Sequence, residues 1–148
     1  MSLDLRVDTA TALELTSHLM KCSDDFVPSL SSRVDIPGYA LKIANQAVRF
    51  EAWDKELVGL IAAYRDVAAH KAFITNVSVL KSHRSRGVAS NLLKAFLTHC
   101  SAIGICQVVL EVDADNLGAV SLYRSHGFNV DRKEGNTMTL ILNLGVDK

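Results

Sequence analysis

The sequence predicts a mixed α/β domain around one central sheet, and three observations carry that prediction. Three stretches rich in β-branched and aromatic residues, Ala47 to Trp53, Glu56 to Tyr64 and Lys71 to Val79, follow one another with only short polar turns between them. That is the pattern of an antiparallel meander. Apolar pairs at Val88/Ala89, Leu92/Leu93 and Phe96/Leu97, continued by Cys100 and Ile103, keep one helix face apolar for about four turns. A further strand, a short helix and a hairpin close the chain. The order β-α-α-β-β-β-α-β-α-β-β mixes the two element types rather than segregating them.

Each element has its own local reason. Leu3 to Val7 alternates and predicts a short strand. Thr11 and Glu14 fit a capping box, after which Leu15, Leu19 and Cys22 fall on one helix side. Ser23 to Ser32 reads as a loop because of Pro28 and the serines, with Phe26 and Leu30 packing over something. Asp35-Ile36-Pro37 starts a second helix, with Ala40, Ile43, Ala44 and Ala47 as its apolar face. Ile105 to Val112 is nearly unbroken in apolar residues, which predicts a buried central strand. Asn116 caps a short helix holding Ala119, Leu122 and Tyr123, and Gly127 stops it. Phe128 to Arg132 and Thr137 to Asn143 alternate about a turn at Gly135-Asn136.

With 148 residues the chain is expected to be one domain, 1–148, burying roughly 68–70% of its unfolded surface. Sixteen basic residues balance sixteen acidic ones, which argues against nucleic acid or an acidic membrane surface as partner. Cys22, Cys100 and Cys106 form an odd set without a C-x-x-C pair, and Cys100 reads as a core residue. Met1 to Lys21 lacks a basic start followed by an apolar run, and no apolar stretch approaches the length of a membrane span. A soluble, cytoplasmic protein is the expectation. His18, His70, His99 and His126 show no ligand spacing, so no metal is expected.

The stretch that carries chemistry runs from Asn76 to Ser90. A strand ends at Val79, and the helix opens at Val88. Between them, Arg84-Ser85-Arg86-Gly87 turns the chain at a helix N-terminus. Unpaired amides and the helix dipole favour an anion there. The segment is either a structural turn or a phosphate seat. No G-x-x-x-x-G-K-[ST] and no G-x-G-x-x-G after a strand occurs, so a phosphate ligand is not expected to be ATP, GTP or NAD. His83 reads as a solvated loop residue, and Lys81 to Arg86 lacks the aromatic platform of a nucleic-acid patch.

Arg84-Ser-Arg-Gly87-Val-Ala89 resembles the R/Q-x-x-G-x-G/A acyl-CoA loop of the GNAT family of N-acetyltransferases. The segment from Leu110 to Phe128, with Glu111, Asn116, Ala119, Leu122, Tyr123 and Gly127, resembles that family's L-E-V-x-x-x-N-x-x-A-x-x-L-Y-x-x-x-G-F pattern. Both segments lie between Val77 and Phe128, roughly a third of the chain. Within the family, this half is similar to the ribosomal-protein N-terminal acetyltransferases. The resemblance implies a mixed, mostly antiparallel sheet whose central strands, Phe73–Val79 and Ile105–Val112 here, splay apart, flanked by about four helices. It implies acetyl-CoA as cofactor, with its pyrophosphate on the amides of Arg84, Ser85, Arg86, Gly87, Val88, Ala89 and Ser90. Val77, Ser78 and Val79 would border the pantetheine arm, which Val77 and Val79 would pair as an extra strand. Asn116, Ala119 and Tyr123 would complete the cofactor contacts.

The implied chemistry is direct acetyl transfer to a primary amine. An alkyl amine has a pKa near ~10 and must lose a proton, while the departing thiolate must gain one. Tyr123 is the expected general acid; its alternative is a packed helix-face aromatic. Glu111, twelve residues earlier, is the candidate base, against a role in shaping the fold. Glu51, Asp113, His70 or a water chain are lesser candidates. The acceptor is expected across the opening, lined by Asp25–Arg33 and the start of the second helix. A small-molecule amine or amino sugar is favoured there. A protein N-terminus and a non-catalytic, regulatory coenzyme A-binding domain are the alternatives. The Thr137–Asn143 strand offers an edge for a homodimer.

Overall fold

A computed structural model describes residues 3–145, so the ends of the expected 1–148 range lie outside the described residues. The first strand, β1 (Asp4–Val7), leads into α1 (Ala12–Cys22), opened by the capping box of Thr11 and Glu14. A 3₁₀ turn over Ser23–Asp25 and a four-residue helix, α2 (Leu30–Arg33), occupy the stretch expected to be a loop. Buried Leu30 anchors that turn, and its carbonyl accepts from Val34 N–H. α3 (Ile36–Gln46) begins at Asp35, whose carboxylate accepts from Gly38 N–H, with Pro37 in the first turn.

The meander is β2 (Val48–Asp54), β3 (Glu56–Asp66) and β4 (Lys71–Val79), followed by α4 (Val88–Ala102). β5 (Gln107–Asp113), α5 (Leu117–Ser125), β6 (Asn129–Glu134) and β7 (Thr137–Asn143) complete the chain. The seven strands form one sheet in the order β1-β2-β3-β4-β5-β7-β6. Only β4 and β5 run parallel.

Two apolar cores lie on the two faces. Val88, Leu92, Leu93, Phe96 and Cys100 of α4 pack on one face with Tyr123, Phe128 and Leu140. Leu15 and Leu19 of α1 and Ala40 and Ile43 of α3 pack on the other, against Trp53, Leu60 and Ala62. Truncating a ring as buried as Phe96 to alanine costs about 3–5 kcal/mol. No helix among the described residues is long and apolar enough to cross a membrane.

Two expectations need correction. β5 is not buried on both faces: Val108, Leu110 and Val112 are, whereas Gln107, Val109 and Asp113 are half-buried and Glu111 is exposed. The second core holds no residue of β5, β6 or β7, because α1 and α3 stop over β2–β4. One apolar face suffices for a strand whose other face borders an opening. Nor is Thr137–Asn143 an edge. The hairpin folds β7 back onto β5, so β7 lies between β5 and β6, and exposed β6 is the outer strand.

Candidate active site

The site begins where the sheet comes apart. β4 and β5 pair only from Lys71–Ile74 to Gln107–Leu110; beyond these residues β4 pairs with β3 alone. A bulge sits at the same point, since Ala63 pairs with Ile74 and Ala62 with Asn76, leaving Thr75 extra. The extra residue switches the faces. Ile74, Val77 and Val79 belong to the α4 core, whereas Ser78 turns to His18 of α1. Leu80 N–H donates to the Val58 carbonyl (2.8 Å), so by antiparallel alternation Ser78 and Asn76 also bond to β3. Val77 and Val79 therefore direct their backbone groups to the side that β5 has left.

A cavity of about 580 Å³ fills this opening. Its far end is the loop after β4, where Ser85 (φ 63°) and Gly87 (φ 76°) turn in the left-handed region. Gly87 stands at the cap of α4 and offers no side-chain acceptor, so the first-turn amides of Val88, Ala89 and Ser90 lack that partner. A Cβ on Gly87 would meet nothing within 4 Å, so the space before these amides is open. Gly59 brings them close to the sheet. A Cβ there would meet Val88 Cγ1 at 2.7 Å and Leu92 Cδ1 at 3.2 Å.

The cavity wall gathers most of the candidate residues. Val77, Ser78, Val79, Arg84, Ser85, Gly87, Val88, Ala89 and Ser90 line it, as do Glu111, Asn116, Ala119 and Tyr123. Arg86 lies outside that wall. Asn116 caps α5 through its Oδ1, which accepts from Ala119 N–H at 3.3 Å. Tyr123 is 7% exposed and meets the edge of Phe128. Burial pushes its phenol well above the usual range, so the group keeps its proton at neutral pH. Its hydroxyl has no hydrogen bond among the described residues. Glu111 stands on the exposed face of β5 and also borders a second cavity of about 300 Å³, with Arg132, Glu134, Thr137 and Thr139.

The lesser candidates are placed elsewhere or already engaged. Glu51 is fully buried on the other side of β3, where it accepts from Thr9 and Ala10 backbone amides and from Trp53 Nε1. Asp113 accepts from Asp115 N–H and Asn136 Nδ2. His70 caps the opposite end of β4, against Gly104 O. His83 is not a solvated loop residue: its Nε2 pairs with Asp54 at 2.9 Å. No group of three or more His, Cys, Asp or Glu among the described residues is placed to hold a metal ion.

Sequence reasoning missed the polar chain behind β4. His18 is 2% exposed, with Nδ1 3.0 Å from Leu57 O and Nε2 2.9 Å from Ser78 Oγ. The carbonyl can only accept, so Nδ1 carries the proton. Burial lowers the ring pKa to about 4 despite that bond, and the ring is neutral. Ser78 Oγ lies 2.8 Å from Asn76 Oδ1, while Asn76 Nδ2 is buried without a partner. Tyr39 of α3 donates to Thr75 O, tying the bulge down. The available signal was His18 itself, on the apolar side of α1 between Leu15 and Cys22.

The side of the cavity expected to take the acceptor holds Asp25, Phe26, Val27 and Arg33. Arg33 lies 5.8 Å over the Phe26 ring, and Asp25 is ion-paired with Arg84 across the opening.

The profile of the acetyltransferase (GNAT) family matches residues 17–128. The chain belongs to that family. Acetyl-CoA is the family's cofactor. The N-alpha-acetyltransferase 30 of Schizosaccharomyces pombe is 30% identical over 83 residues, 53% of this chain and 55% of the relative. The ribosomal protein bS18-alanine N-acetyltransferase of Escherichia coli K12 is 30% identical over 88 residues, 58% of this chain and 60% of the relative. The matches thus span little more than half of these relatives. The crystal structure of the PaiA N-acetyltransferase from Thermoplasma acidophilum with coenzyme A has the same fold. Its TM-score is 0.78 at 16% identity, over 97% of this chain and 100% of that one.

Proposed function

We propose that the chain works as one catalytic unit, transferring the acetyl group of acetyl-CoA to a primary amine by direct attack. One observation carries the reading. The backbone groups of Val77 and Val79 border a cavity that has uncapped helix amides at one end and an unpaired, protonated Tyr123 hydroxyl in its wall. That arrangement fits a ligand with a diphosphate, an amide-bearing arm and a thioester. The amides from Arg84 to Ser90 hold the diphosphate. Val77 and Val79 pair with the arm as a strand would, and Asn116 and Ala119 flank it.

Acetyl-CoA supplies an acetyl group on a sulfur leaving group. The amine nitrogen forms a bond to the thioester carbon, the carbon–sulfur bond breaks, and Tyr123 donates its proton to the departing sulfur. The amine proton passes to water or to Glu111, whose carboxylate borders the same cavity.

A small-molecule amine or amino sugar is the favoured acceptor, and the polar cavity beyond Glu111 supports it. The names of the two curated relatives favour a second reading, a protein N-terminus. A panel of amines, amino sugars and short peptides incubated with acetyl-CoA, read by free thiol release, separates the two. Turnover of peptides alone would replace the small-molecule acceptor. Absence of coenzyme A uptake in calorimetry would remove the whole proposal.

A further inference from the structure

Arg84 has two partners, one on each side of the opening. Its Nε donates to the carbonyl of Val79 at 3.3 Å, and a terminal nitrogen pairs with the carboxylate of Asp25. Val79 belongs to β4, whereas Asp25 ends the 3₁₀ turn after α1. Both side chains are about one-third exposed, 38% for Arg84 and 35% for Asp25. The guanidinium therefore bridges the cavity from its cofactor side to its acceptor side.

The Val79 carbonyl faces the side vacated by β5, and Arg84 is already bonded to it. An arm that paired with β4 as a strand would need that carbonyl, so arm and guanidinium compete for it. A diphosphate on the Ser85–Ser90 amides would meanwhile offer Arg84 a stronger, charge-assisted partner beside its own backbone. Departure of Arg84 leaves Asp25 exposed to the cavity. The other basic side chains in the wall are engaged: Arg33 lies over Phe26, and the His83 ring is hydrogen-bonded to Asp54. Arg84 is the one ion-pair partner of Asp25 among the described residues.

We infer that Arg84 is a strap across the unloaded site, and that coenzyme A, by drawing it away, turns Asp25 into the carboxylate that receives the acceptor's ammonium group. The inference rests on the acetyl-transfer reading and adds to it a carboxylate for the acceptor, freed when Arg84 moves. The acceptor is an amine that arrives charged, is held at Asp25 and loses its proton next to Glu111. By linkage, acceptor and coenzyme A each tighten the other's binding by the same factor.

The test is calorimetry with coenzyme A and steady-state kinetics with a primary amine, on the wild type, Asp25→Asn and Asp25→Glu. Removing the strap's anchor tightens coenzyme A about two- to five-fold in Asp25→Asn, the range of a partly exposed ion pair. At saturating acetyl-CoA the same variant raises the KM for the amine about ten-fold with kcat nearly unchanged. Asp25→Glu restores the wild-type KM. Asp25→Ser guards against a fault particular to asparagine and follows Asp25→Asn in both measurements. Unchanged coenzyme A affinity in Asp25→Asn, or an unchanged amine KM, overturns the strap and leaves acetyl transfer standing. A wild type that takes up no coenzyme A overturns both.

Discussion

The two sides of the cavity are made by different means. On the side proposed for the cofactor the groups are backbone: the turned-out edges of Val77 and Val79 and the uncapped amides after Gly87. On the side proposed for the acceptor, and behind β4, they are side chains that meet across long separations, Asp25 with Arg84 and His18 with Ser78. Backbone sites constrain residue type locally, because a left-handed turn wants glycine and a close helix approach excludes a Cβ. Side-chain sites constrain only pairs, and the pairs are distant in sequence. The cofactor side should therefore fail through geometry, and the acceptor side through charge and hydrogen bonding.

The largest expected effect lies where the two sides meet. Tyr123→Phe removes one proton donor and keeps the ring packed against Phe128. Turnover should fall ~10²–10⁴-fold while calorimetric affinity for coenzyme A holds. Unimpaired turnover would move the proton to water and leave Tyr123 as packing. An effect on affinity alone would favour the non-catalytic binding domain.

The next effect is a pH dependence of stability. His18 is neutral in the fold with a pKa lowered to about 4, mainly by burial, although Glu56 and the Leu57 bond oppose the shift. The unfolded ring titrates near 6.5. Between those values the unfolded state binds more protons, so stability falls as pH drops from about 6.5 to about 4 and levels off below. The loss is on the order of 3 kcal/mol. Denaturant unfolding of the wild type and His18→Gln across this range should differ in slope. Parallel curves would show that the ring is already charged or free in the fold.

Gly59 tests the backbone side. Gly59→Ala forces Val88 and Leu92 away from the sheet and should cost about 1–3 kcal/mol of stability. It also shifts the first turn of α4, so affinity for coenzyme A should fall with it. Loss of stability with intact affinity would mean that the amides tolerate the shift.

The contrast between the two sides also explains what was legible in the sequence. The element order, the helix caps and the Arg84–Gly87 turn could be read locally, because each depends on neighbours within about four residues. The bulge at Thr75 could not. It decides that Ser78 faces α1 while Val77 faces α4, yet Phe73-Ile74-Thr75-Asn76-Val77 reads as plain alternation. The one-sided burial of β5 was hidden for a similar reason, since Val109 is apolar yet stands on the open face beside Glu111. Asp25 and Arg84, separated by 59 positions, carry no mutual signal before the fold brings them together.

Asn116 gives the smallest effect and separates structure from binding within one side chain. Its Oδ1 caps the helix that carries Tyr123, while its amide nitrogen makes no cap bond. Asn116→Ala should lose the cap, about 1 kcal/mol, together with any hydrogen bond to the cofactor. Asn116→Asp keeps an oxygen for Ala119 N–H, removes the donor and adds a carboxylate charge to the wall. Thermal unfolding of Asn116→Asp should match the wild type while its affinity for coenzyme A falls to that of Asn116→Ala. If Asn116→Asp binds coenzyme A as the wild type does, Asn116 acts on the site only by holding α5, and the arm must find its donor elsewhere in the wall.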